Sequence, residues 1–156
     1  MLAAAFVPLF LLCLFAPATA LAQRPNFSGN WKLNLQASNF GGGQPPKSMT
    51  VRITHRDPAL IVVSHTIGPQ GDQAGEYRWW TDGYPSKNTI RNIEYGNTVT
   101  WEGASLVAAS KATTPQGAVE ITDRWNLAGG GNQLIVSRSL TVAGKQVVQQ
   151  YVYQKQ

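Results

Sequence analysis

From residue 27 onward, apolar and polar side chains alternate in short runs rich in Val, Ile, Thr, Trp and Tyr. Gly, Pro, Asn or Asp interrupts these runs at intervals of about 8 to 12 residues, the spacing of strands joined by turns. No stretch carries a helical period. The pattern predicts strands at 28–35, 47–55, 60–67, 74–80, 87–94, 97–102, 105–112, 118–127, 133–142 and 145–154. Asp57-Pro58, Asp82-Gly83, Glu102-Gly103 and Ala143-Gly144 supply turn chemistry between them, so successive strands are expected to be antiparallel neighbours. The one long gap, 36–46, holds Gly41-Gly42-Gly43 and Pro45-Pro46 and reads as a loop.

A run of consecutive strands with one apolar face must stack into two sheets or close on itself, because an open sheet leaves two edges that pair with other chains. The fold class expected is therefore all-β: an antiparallel up-and-down meander β-barrel of about 8–10 strands in a single domain, residues 23–156. A two-sheet sandwich is the alternative.

Side-chain parity gives the interior content. Between 118 and 127 the odd positions Val119, Ile121, Trp125 and Leu127 are apolar and the even ones polar, so the odd face points inward. Pairing Leu127 with Leu134 across Gly129-Gly130-Gly131 places Trp125 opposite Val136 and Ile121 opposite Leu140. The same register sets Asp123, on the inward parity, opposite Arg138. Carried through the Ala143-Gly144 turn, it pairs Arg138 with Gln149, Val136 with Tyr151 and Leu134 with Tyr153. Asp123, Arg138 and Gln149 thus form one polar row between apolar rows. An isolated interior charge costs several kcal/mol, so an Asp with an Arg and an amide is what such a row requires. It reads either as a buried ion pair that fixes register, or as a site where Arg138 offers donors to a ligand carboxylate while Asp123 and Gln149 orient the guanidinium. Tyr151, beside the row, belongs to the same candidate site.

Met49, Val51 and Ile53 share a parity with His55, and Ile61, Val63 and Ile67 share one with His65, which places both histidines on the interior face. They read as hydrogen-bonded histidines among the polar interior groups or, for His65, as a further ligand contact. No third ligand stands at a metal-binding spacing, so no metal, cofactor or catalytic residue is assigned. Trp79 and Trp80 are adjacent in a strand, so one of them faces away from the core and marks a candidate contact surface.

Residues 1–22 carry no charged side chain, hold an apolar run at 6–15 and end in Ala20-Leu21-Ala22, a signal-peptidase pattern. They read as a removed signal peptide, and the protein as exported to the periplasm or secreted. The apolar run of roughly 10 to 14 residues is short of the about 20 that a bilayer span needs, so no stable membrane insertion is expected. Cys13, the sole cysteine, follows Leu12 rather than the small residue of a lipid-attachment site. The rest of the chain has no thiol, so the hydrophobic core alone must stabilise it. The 13 basic residues outnumber the 8 acidic ones but are scattered singly, and no basic run marks a nucleic-acid arm.

The segment Phe27-Ser28-Gly29-Asn30-Trp31-Lys32-Leu33-Asn34 resembles the Gly-x-Trp opening of the first strand in calycins, the superfamily of lipocalins, fatty-acid-binding proteins and avidins. The whole stretch is also similar to small exported bacterial proteins described as lipocalin-like. The resemblance implies a barrel with Trp31 closing one end beneath a basic residue from a late strand, Arg138 or Lys155. Two departures keep a ligand class from being carried over. The chain ends on a strand without the lipocalin helix, and 36–46 cannot form the helical lid of fatty-acid-binding proteins.

Two functions remain open at this point. One is an interior site for a small hydrophobic, amphipathic or anionic ligand. The other is a non-enzymatic structural or interaction protein with a filled core and a surface patch near Trp79 and Trp80.

Overall fold

The computed structural model describes residues 24–69 and 71–156; the expected signal segment 1–22 and Cys13 lie outside the described residues. Each period-2 run forms a strand. In chain order these are β1 (Gly29–Leu33), β2 (Ser48–Arg56), β3 (Ala59–Gly68), β4 (Gly71–Trp80), β5 (Ser86–Ile90), β6 (Ile93–Glu102), β7 (Ser105–Thr114), β8 (Gly117–Ala128), β9 (Gln133–Val142) and β10 (Lys145–Lys155). All ten join one antiparallel sheet in the order β4-β3-β2-β1-β10-β9-β8-β7-β6-β5, which is a meander whose first and last strands meet between β1 and β10. A single continuous sheet excludes the sandwich.

The sheet curls until β4 and β5, its two edges, face each other without a backbone ladder. One side chain bridges this seam. The buried Asn88 carboxamide accepts from Arg78 N at 2.7 Å and donates to Arg78 O at 3.1 Å. It supplies the donor and acceptor that a neighbouring strand would offer, so the edges stay protected.

Parity decides which residues enter the interior, and it does so as expected in β8, β9 and β10. Leu127 pairs with Leu134, Trp125 with Val136, Asp123 with Arg138 and Ile121 with Leu140. Leu140 pairs with Val147, Arg138 with Gln149, Val136 with Tyr151 and Leu134 with Tyr153.

Two expectations are corrected. The strand expected at 87–94 is broken by a two-residue turn, because Arg91 and Asn92 both take left-handed backbone, φ 50° and 62°, between the paired Ile90 and Ile93. That conformation matches strand twist in tight hairpins, and here no glycine advertises it. The parity of β3 is also opposite to the expected one. Arg56 pairs with Ala59 across the Asp57-Pro58 turn, so His55 meets Leu60 and Thr50 meets His65. Leu60, Val62 and Ser64 are buried while His65 is exposed on the outer wall. Both parities of 59–63 are aliphatic, so alternation could not tell them apart.

No helix among the described residues is long and apolar enough to cross a membrane.

Candidate functional site

One end of the barrel is plugged with rings. Phe27, just ahead of β1, is fully buried against His55 and Trp101, stacked at 5.9 Å from each, and meets Trp125 edge-on at 5.8 Å. Trp31 donates its indole N–H to Phe27 O at 3.0 Å. His55 Nδ1 accepts from Phe27 N at 3.3 Å, which makes Nε2 the protonated nitrogen that meets Asp57 Oδ1 at 3.1 Å. Thr81 Oγ1 donates to the same carboxylate oxygen at 2.5 Å. Burial acts to raise the Asp57 carboxyl, but the hydrogen bonds from Thr81 and His55 prevail and hold it below its ordinary 3.8. The basic group over Trp31 is Lys155, whose Nζ lies 5.5 Å from the ring centroid; Arg138 does not fill that position.

Beyond the plug the interior is hollow. A cavity of about 660 Å³ runs from Trp79 and Trp125 at its floor, past Asp123 and Arg138, to Arg91 at the β5–β6 turn. Its size and its mainly apolar lining with a few polar groups fit a small-molecule site.

The Asp123–Arg138 pair is the polar centre. Arg138 Nε and Nη2 donate to Asp123 Oδ1 and Oδ2, both at 2.7 Å, a parallel two-bond fork. Asp123 is sealed, its side chain 8% exposed, whereas 32% of the Arg138 side chain stays accessible although it lies deep inside the barrel. That surface faces the cavity. Burial works against the guanidinium charge, yet the adjoining carboxylate more than offsets this and holds the group above its ordinary value. Arg138 is therefore a permanent cation. Nη1 bonds to no acceptor among the described residues, and Arg138 is part of the cavity lining.

The guanidinium carbon lies over the Tyr151 ring, 5.2 Å from its centroid. Gln149 pairs with Arg138 in register but does not orient it. Its carboxamide instead accepts from Tyr151 Oη at 2.8 Å and donates to Phe40 O at 3.1 Å. Gln149 thus ties the cavity wall to the β1–β2 loop. His65, on the outer wall, does not line the cavity.

Pattern reading put Tyr153 on the inward face but assigned neither it nor the other polar groups of the lining to the site. Tyr77 and Tyr153 are held neutral by burial, which raises both phenols above their ordinary 10.0. On the facing wall the buried Ser110 donates to Asn97 Oδ1 at 2.8 Å. Parity outward from Trp79 identifies Tyr77, and the β10 register identifies Tyr153; nothing in the pattern marks Asn97 or Ser110.

The mouth is spanned by the β1–β2 loop. Asn39 extends the β1 pairing with two backbone bonds to Gln150, each 2.8 Å, and Ser38 Oγ accepts from Val152 N at 3.0 Å. A Cβ on Gly41 would stand 2.5 Å from Val147 Cγ1 and 2.7 Å from Val148 O, so only glycine permits this approach to β10. Beyond it, Phe40 and Pro46 cover a vestibule of about 380 Å³ that shares Met49, Arg91 and Tyr151 with the deeper cavity.

No protein-family model and no curated protein sequence matches this chain. Solved structures are similar to it. A zebrafish ileal bile acid-binding protein complexed with cholic acid matches with TM-score 0.58 at 13% identity, over 83% of this chain and 98% of its own. The wild-type fluorescent protein UnaG matches with TM-score 0.59 at 19% identity, over 83% and 97%. A Schistosoma mansoni fatty acid binding protein in complex with arachidonic acid matches with TM-score 0.54 at 14% identity, over 83% and 96%. At these identities the likeness is one of fold: this chain shares with them an all-β, antiparallel barrel, here of ten strands in one nearly closed sheet.

Proposed function

We propose that the barrel binds a small, mainly apolar molecule in its cavity, with Arg138 meeting an acceptor-bearing polar end, best matched by a carboxylate. The observation that carries this is that Arg138 lines the cavity with a third of its side chain accessible and Nη1 without a protein acceptor. Asp123 fixes the guanidinium plane and leaves its other edge for a second acceptor, while Tyr77 and Tyr153 add neutral phenols to the same lining. A cavity of about 660 Å³ disfavours the filled-core alternative. Structural neighbours solved with cholic acid and arachidonic acid support the reading. It is a binding role rather than catalysis, since His55 and Asp57 are engaged in fastening the plug. Residues 1–22 support export as part of the proposal, tested by sequencing the N-terminus of protein recovered from outside the cytoplasm, which should begin near Gln23.

The test is native mass spectrometry of protein purified from its source, followed by titration with a fluorescent polyene fatty acid and its methyl ester. The acid should bind more tightly than the ester. Arg138→Gln should remove that preference, a change of roughly tenfold or more for a charge-assisted bond. No co-purifying molecule together with no probe binding would overturn the proposal.

A further inference from the structure

The charges of the outer wall are divided between two halves. Strands β3, β2, β1, β10 and β9 are consecutive in the sheet and contain no Asp or Glu, nor does the loop joining β1 to β2. The remaining strands carry Glu76, Glu94, Glu102 and Glu120, each in an ion pair with a basic neighbour: Arg78, Lys87, Arg124 and Lys111 respectively; Glu76, on β4, pairs with Val63 of β3 and marks the border of the two halves, its charge matched by Arg78 beside it. On the carboxylate-free half Lys32, Arg52 and Arg56 are exposed and form no ion pair among the described residues. Asp57, in the β2–β3 turn, is already bonded to Thr81 and His55.

We infer that this half of the wall is a docking surface for an anionic lipid bilayer. Asn30 pairs with Arg52 and Lys32 with Thr50, so Lys32 and Arg52 are diagonal neighbours, about 7 to 8 Å apart. Arg56 stands two outward positions further along β2, about 13 Å from Arg52. Half-buried Ile61 and Val63 fill the outward positions of β3 beside them. Arg56 pairs with Ala59, and Ala59 with Trp80, which puts the 42% exposed Trp80 on the same outer row as Arg56. Spaced cations, aliphatic side chains and one indole at the rim fit a plane of anionic headgroups over acyl chains. A single ring gives no run of stacking platforms for successive bases, which separates this face from a nucleic-acid groove. The inference rests on the outer wall and is independent of what the cavity holds.

Sedimentation of the purified protein with equimolar phosphatidylcholine–phosphatidylglycerol vesicles at low salt tests it. The protein should bind these vesicles and not pure phosphatidylcholine, and salt should release it. The triple variant Lys32→Gln, Arg52→Gln, Arg56→Gln should bind about a hundredfold more weakly, at about fivefold per cation. Lys87→Gln with Lys111→Gln, on the opposite half, should leave binding within twofold. Trp80→Phe should abolish a blue shift of emission on docking. All these positions are exposed, so circular dichroism should report an unchanged sheet. No binding to anionic vesicles, equal loss in both sets of variants, or tighter binding to a single-stranded oligonucleotide at the same salt would overturn the inference.

Discussion

The two ends of the barrel interior are built from the same strands yet do opposite work. On β8 the inward Trp125 closes the plug and the next inward residue, Asp123, enters the hollow; on β9 the succession is Val136 then Arg138. At the plugged end rings fill the space: Trp31 and His55 bind the backbone of Phe27, while the indole N–H groups of Trp101 and Trp125 are buried with no acceptor among the described residues. At the hollow end the polar groups bind one another and leave donors over. Close packing and open space are thus separated along the barrel axis by single residue steps.

Substitutions at each end should separate these roles. Trp31→Ala, which empties the plug, should lower unfolding free energy by about 4 kcal/mol in denaturant titrations. Arg138→Met leaves Asp123 buried without its partner and should cost about 3 kcal/mol; adding Asp123→Leu should restore most of that while ligand recognition stays lost. Full stability of Arg138→Met alone would show that the pair is not dry. Asn88→Ala, which unfastens the seam, should cost about 1 kcal/mol and raise amide exchange in β4 and β5 more than in β9.

Proton linkage gives the smallest effects and distinguishes the ends again. The plug's Asp57 has a folded-state pKa below 3.8, so its contribution is present above that value and is lost as pH falls through the lower folded one. Tyr77 and Tyr153, in the hollow, have folded-state pKa values above 10.0, so their contribution is present below pH 10.0 and is lost as pH rises through the folded values. Stability measured against pH should therefore fall at both extremes. Asp57→Asn should flatten only the acid limb and Tyr77→Phe should reduce only the alkaline one.

The register of β8 to β10 was legible because polar and apolar residues alternate there without a break, and a charge pair had one arrangement that left neither member alone. His65 was misplaced for the converse reason: Leu60 to Val63 is aliphatic on both faces, so only the turn at Asp57-Pro58 decides which side enters the core. The Arg91-Asn92 turn was hidden because it uses left-handed backbone without glycine. Trp31's cover could be narrowed to two basic residues, but choosing Lys155 required knowing how far β10 runs alongside β1. The hollow itself has no local signature, since the same inward residues fill a tighter barrel and line a wider one.

The loop across the mouth has a fixed root and a loose tip. Gly41 is wedged against β10, whereas a side chain placed on Gly42 would meet nothing within 4 Å. A peptide or reporter inserted after Gly42 would open the Gly43 N to Phe40 O turn bond but leave the two Asn39–Gln150 bonds of the ladder in place. This position is accordingly an attachment point next to the vestibule, where Phe40 meets Tyr151 and Gln149.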